Sequence, residues 1–103
     1  MARKYLPIRV VGNSMLPTLQ PGDFLLVKRT QDFFIGDLVV VLHGENKLIK
    51  RVVDEQQNQI WLSGDNVRES NDSRNFGWMD KNQVFGKVIL RYWPKIKIIF
   101  KVN

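Results

Sequence analysis

Residues 38–53 read LVVVLHGENKLIKRVV, two apolar runs on either side of a polar turn. Leu38–Leu42 and Lys47–Val53 are rich in β-branched and aliphatic residues, which favour strands. Between them, His43-Gly44-Glu45-Asn46 has the glycine and polar side chains typical of a tight reversal. The pattern predicts a β-hairpin.

The rest of the chain repeats this organisation of short apolar runs separated by turn residues. Further strands are predicted at Pro7–Val11, Phe24–Lys28, Gln59–Leu62, Val84–Tyr92 and Ile96–Val102. A polar loop is predicted over Ser63–Asn75, and helix is limited to a turn or two near Ser14–Leu19 or Asp80–Gln83. We therefore expect an all-β fold, a compact and partly closed barrel of short bent strands. A chain of 103 residues holds one core, so residues 1–103 are expected to form one domain.

Composition removes several kinds of chemistry. The chain has no cysteine and one histidine, which excludes disulfides, thiol nucleophiles and multi-histidine metal sites. We expect no metal and no cofactor. The single histidine, His43, falls in the predicted hairpin turn, where solvent exposure is the expected outcome.

Positive charge is concentrated at the two ends of the sequence. The net charge is +6, from sixteen basic and ten acidic residues, and residues 1–10 and 87–103 contain no acid. Basic ends of this kind are typical of a solvated protein surface, or of a surface that binds nucleic acid or anionic lipid. No apolar run has the length of a signal peptide or a membrane span. We expect a cytoplasmic protein without a transmembrane segment, for which peripheral membrane contact stays open.

Two segments carry side chains that core packing does not explain. Ser14 follows a Gly12-Asn13 break directly after a predicted strand, where a serine is either a turn residue or an exposed nucleophile. Lys50 shares a strand face with Leu48 and Val52, so its amine either reaches water or is desolvated. Desolvation matters chemically, because an ordinary lysine is only about 0.4% neutral at pH 8. A desolvated lysine can deprotonate a serine without any histidine.

These segments occur in a specific order along the chain. Gly-x-Ser-Met-x-Pro-Thr at residues 12–18 precedes Pro-Gly-Asp at 21–23, Gly-Asp-Leu-Val-Val at 36–40 and Ile-Lys-Arg-Val at 49–52. The series resembles the serine–lysine protease clan of bacterial signal peptidases and LexA-type self-cleaving repressors. Residues 64–77, GDNVRESNDSRNFG, resemble the signal peptidase I signature, which the LexA branch lacks.

The resemblance assigns roles to the two candidate catalytic side chains. It implies that Ser14 is the nucleophile, that Lys50 is the general base, and that the Ser14 backbone N–H is one oxyanion donor. Met15 is expected to pack beneath the site and cover Lys50. Some members supply a second oxyanion donor from a serine two residues before the nucleophile. Gly12 stands there in this chain, which leaves a backbone amide or water as that donor.

Three further residues match supporting positions of the same signature. Ser70 falls where the resemblance implies a hydroxyl that binds the lysine amine and orients its lone pair. Asp72 and Arg74 match an ion pair that braces the loop beside the site.

A small chain with thirteen residues before Ser14 and the pattern Gly-Asp-Asn…Asp-Ser-Arg-x-Phe-Gly resembles the nickel-type superoxide dismutase maturation proteases. This resemblance implies a serine endopeptidase that removes an N-terminal propeptide, with the nickel superoxide dismutase precursor as its protein partner. A LexA-like self-processing peptidase is one alternative. A non-enzymatic basic β-barrel that binds nucleic acid is the other, although the expected partner set contains no nucleic acid.

Overall fold

The computed structural model describes residues 3–99, and most of their regular structure is β-strand. The eight strands are β1 Tyr5–Arg9, β2 Phe24–Lys28, β3 Leu38–His43, β4 Asn46–Gln56, β5 Gln59–Ser63, β6 Met79–Asp80, β7 Val84–Trp93 and β8 Lys97–Ile98. The short helix α1 spans Ser73–Phe76, and 3-10 turns span Val67–Glu69 and Lys81–Gln83. The all-β prediction is confirmed.

All eight strands belong to one antiparallel sheet. Its order is β1-β2-β7-β3-β4-β5-β6, and β8 pairs with β7. The predicted hairpin is β3–β4, in which His43 pairs with Asn46, so that Gly44 and Glu45 form the turn. Gly44 has φ 62°, a conformation that glycine adopts without a steric penalty.

Some boundaries differ from the sequence predictions. The first strand begins and ends two residues earlier than predicted, because Val10 bonds instead with the turn at Gly22 and Asp23. The last predicted strand is limited to Lys97–Ile98 among the described residues, and positions 100–102 lie outside them. The loop predicted over Ser63–Asn75 contains the start of α1, which is too short to show an apolar helical period.

Both faces of β3 are buried, which means that the sheet folds back over itself. Val40 packs into one hydrophobic cluster, whereas Val39 and Val41 pack into another. Ile8 of β1 and Ile49 of β4 pack against the same cluster, although four steps of the sheet order separate their strands. The curled sheet therefore brings β1 opposite β4. No helix within residues 3–99 is long and apolar enough to cross a membrane.

Candidate active site

A cleft of about 250 Å³ lies where β1 faces β4. It is lined by Ile8, Arg9, Val10, Val11, Ser14, Met15, Val40, Lys47, Leu48, Ile49 and Lys50. The fold thus brings Ser14 and Lys50, from two separate segments, into the lining of one cleft.

Ser14 lies in a chain of turns that follows β1, where no helix forms. The turns are closed by backbone hydrogen bonds from Leu16 to Asn13 (3.2 Å) and from Leu19 to Met15 (2.9 Å). Met15 and Leu19 anchor this segment, because both side chains are buried in the core. The Ser14 carbonyl accepts a hydrogen bond from the Asn66 backbone N–H at 2.8 Å. Ser14 is therefore half-buried on a backbone that is fixed from two sides.

Lys50 is a buried lysine in the middle of β4. It is only 2% exposed, and its Nζ donates a hydrogen bond to Ser70 Oγ at 3.0 Å. Burial lowers the pKa of the Lys50 ammonium; the Asp72 carboxylate opposes this effect, and the Arg74 guanidinium adds to it. The strand pattern allowed the Lys50 amine either to reach water or to be desolvated, and in the structure it is desolvated. Its hydrogen bond within residues 3–99 goes to Ser70, and none joins it to Ser14.

Asp72 is fully buried and organises the loop beside Lys50. Its carboxylate accepts hydrogen bonds from the Gly64 amide (2.9 Å) and from the Arg74 backbone N–H (3.1 Å), Nε (2.9 Å) and Nη2 (3.0 Å). Burial alone would raise the pKa of this carboxyl. The hydrogen bonds from Arg74, the Gly64 amide and the Ser70 side chain outweigh it and hold the pKa well below its usual range. Asp72 and Arg74 form the ion pair that the sequence pattern suggested.

Asp65 is a site residue to which the sequence analysis gave no role. Its carboxylate accepts two hydrogen bonds from Arg51, at 2.9 and 2.7 Å, and a third from the Thr18 hydroxyl. Arg51 follows Lys50 on β4, and Thr18 lies in the turns that hold Ser14. Asp65 therefore joins the strand of the lysine to the segment of the serine. Its place in the Gly-Asp-Asn sequence was the signal that could have revealed it.

Gly64 has no room for a side chain. A Cβ atom there would lie 2.6 Å from the Ser70 Cβ and 2.7 Å from the Ser14 carbonyl oxygen. The glycine thus allows the loop of Ser70 to approach the backbone of Ser14. This role of Gly64 is not predictable from the sequence, since the contact exists only in the folded chain.

His43 lies outside the lining of the cleft. It ends β3, and its ring stacks on Phe76 with centroids 4.6 Å apart. The histidine is half-buried, so the expectation of an exposed turn residue was wrong. Within residues 3–99, no three histidine or carboxylate side chains are grouped in a way that could hold a metal ion.

Comparison with known proteins gives consistent matches across most of the chain. Residues 2–89 match the peptidase S24-like family. Mitochondrial ATP-independent inner membrane protease subunit 1b of Arabidopsis thaliana is 36% identical, over 81% of this chain and 67% of the relative. Mitochondrial inner membrane protease subunit 1 of Schizosaccharomyces pombe is 31% identical, over 81% and 70%. Signal peptidase I of Bacillus caldolyticus is 28% identical, over 89% and 81%.

Proposed function

This chain belongs to the peptidase S24-like family, and we propose that it is a serine endopeptidase with Ser14 as nucleophile and Lys50 as general base. The observation that carries the proposal is the burial of Lys50 in the lining of the cleft that also holds Ser14. Burial lowers the pKa of the Lys50 ammonium and so favours the neutral amine that a serine nucleophile without a histidine requires.

The proposed reaction proceeds in two half-reactions. Ser14 Oγ attacks the carbonyl carbon of the scissile peptide bond while its proton moves to Lys50 Nζ. The Lys50 ammonium then gives that proton to the leaving amine, the peptide C–N bond breaks, and an ester on Ser14 remains. Lys50 next takes a proton from water, whose oxygen attacks the ester carbon. The acid product leaves, and the proton returns to Ser14 Oγ.

Ser70 is proposed to direct the amine rather than to react with substrate. The Lys50 amine donates one hydrogen to Ser70 Oγ, and this contact fixes the orientation of the remaining hydrogen and the lone pair. The Ser14 backbone N–H is the proposed oxyanion donor. Gly12 offers no hydroxyl, so the second donor is assigned to a backbone amide or water.

The activity is expected to rise with pH, because the general base works only when deprotonated. Burial lowers the pKa of Lys50, so kcat/KM should reach its plateau below the ordinary lysine range near 10.4. Peptide cleavage assayed from pH 5 to 10 gives the profile. A His43→Gln variant is the control and should follow the same curve. If the rise of kcat/KM with pH disappears in this variant, the general base is His43 instead.

Gly64→Ala is expected to lower kcat by about 100-fold, because displacing a catalytic group by about 1 Å has that effect. The added methyl must push the loop of Ser70 away from the Ser14 backbone, which also lowers the free energy of unfolding by about 1–3 kcal/mol. Peptide kinetics and urea denaturation measure the two effects. Gly44→Asn is the control, since its turn is open and asparagine tolerates positive φ. Wild-type kcat in Gly64→Ala would contradict the proposed packing.

The proposed substrate is a precursor protein with an N-terminal propeptide, and specifically the nickel superoxide dismutase precursor. The resemblance of residues 64–77 to the pattern Gly-Asp-Asn…Asp-Ser-Arg-x-Phe-Gly supports this choice. Incubating the purified precursor with the protein and reading the new N-terminus by mass spectrometry tests it. One cut that frees the metal-binding N-terminus is expected. If the precursor stays intact while members of a peptide library are cleaved, the proposed substrate is wrong and the proposed endopeptidase activity stands.

A further inference from the structure

The cleft carries positive charge in addition to the proposed catalytic pair. Its lining includes Arg9 at the end of β1 and Lys47 on β4, and it includes no carboxylate. Both side chains are exposed, unlike Lys50, so both keep access to solvent beside the apolar lining. A ligand in this cleft therefore meets two cations that the proposed reaction does not use.

Neither cation forms an ion pair with another described residue. The ion pairs among residues 3–99 involve neither Arg9 nor Lys47. Lys47 Nζ lies 5.0 Å from the centroid of the Phe85 ring, which restrains the side chain without cancelling its charge. Arg29 approaches the same ring, with Cζ at 5.2 Å. The Phe85 ring thus holds two cationic side chains, Lys47 and Arg29, next to each other.

We propose, building on the endopeptidase function, that Arg9 and Lys47 form a subsite for an acidic side chain of the substrate. Lys47 precedes Lys50 by three residues on one strand, or about 10 Å at about 3.3 Å per residue. An extended substrate lying along β4 spans that distance with three residues. The subsite thus selects aspartate or glutamate about three positions from the scissile bond and disfavours lysine there.

Peptide binding to the Ser14→Ala variant tests the subsite without requiring cleavage. The probes are fluorescent ten-residue peptides centred on the junction between the propeptide and the mature chain of the proposed precursor. Aspartate or lysine is placed at each position of the peptide in turn. At one position, about three from the junction, the aspartate peptide should bind about tenfold more tightly than its lysine counterpart at low salt. The difference should shrink at 1 M salt, because exposed charges are screened. Equal affinities at every position would overturn the proposal.

Charge reversal identifies the residues responsible. In the Ser14→Ala background, Lys47→Glu and Arg9→Glu should each reduce the aspartate preference at that position by about threefold, and together they should abolish or invert it. Lys97→Glu is the matched control, because Lys97 is exposed on β8, outside the cleft. A preference unchanged by both cleft substitutions, or equally reduced by Lys97→Glu, would overturn the assignment. Failure of the endopeptidase function is a separate result: wild type would bind the preferred peptide and leave it uncut.

Discussion

Lys50→Met is expected to reduce kcat by about 10⁶-fold, because removal of the general base from a catalytic serine site leaves only binding and oxyanion stabilisation. Methionine fills a similar volume but cannot accept the Ser14 proton. Because the substitution conserves the buried volume, the free energy of unfolding should change by less than about 1.5 kcal/mol. Initial rates on a cleavable peptide and urea denaturation measure both quantities.

The matched control for this substitution is Lys97→Met. Lys97 is an exposed lysine on β8, and its loss should leave kcat at the wild-type value. A folded Lys50→Met protein that retains kcat within tenfold of wild type would exclude Lys50 as the base. If Lys50→Met loses its activity because it unfolds, Lys50→Arg replaces it in the test. Arginine keeps the charge but cannot act as a base at neutral pH.

Asp72→Ala is expected to lower the free energy of unfolding by about 3 kcal/mol, because the buried Gly64 amide loses its partner and α1 loses its N-cap. Release of the loop should also lower kcat, since Ser70 lies two residues before Asp72. Urea denaturation at pH 7 measures the stability. Asp80→Ala is the control, because Asp80 caps an exposed 3-10 turn by accepting one hydrogen bond from the Asn82 backbone N–H. Equal losses in the two variants would contradict a special role for Asp72.

The contribution of Asp72 should also depend on pH. Its folded-state pKa lies below the unfolded value near 3.9, so its stabilisation is complete above that value and is lost as the pH falls towards the folded-state pKa. The stability gap between wild type and Asp72→Ala should therefore narrow as the pH is lowered below about 4. A gap that is constant from pH 7 to pH 3 would mean that the carboxylate charge does not stabilise the fold.

The strands were largely predictable because local pattern and tertiary environment agree. Phe24–Lys28 was predicted with its observed bounds, and the β3–β4 hairpin follows from two apolar runs around a glycine-containing turn. Helix α1 was not predictable from periodicity. Its four residues depend on a capping box, in which the Asp72 side chain accepts hydrogen bonds from the first turn and the Asp72 backbone N–H donates one to Asn75 Oδ1.

The sequence singled out two residues that the fold brings into one cleft, but it did not predict their contacts. Order and spacing of the motifs singled out Ser14 and Lys50, but strand alternation allowed either a solvated or a desolvated lysine. Burial of Lys50 depends on the curl of the sheet and on the loop that carries Ser70. The roles of Gly64 and Asp65 arise from contacts with residues 14, 18 and 51, which sequence periodicity does not reveal.

Covalent capture of the substrate on Ser14 tests the proposed dyad most directly. Wild type and Ser14→Ala are mixed with the cleavable peptide, quenched in acid at short times and weighed intact, with product release measured in the same samples. For wild type we expect a transient adduct with the mass of the acyl fragment, located at Ser14 by digestion, and for Ser14→Ala neither adduct nor product. Product formation by Ser14→Ala at the wild-type rate would contradict the serine–lysine mechanism.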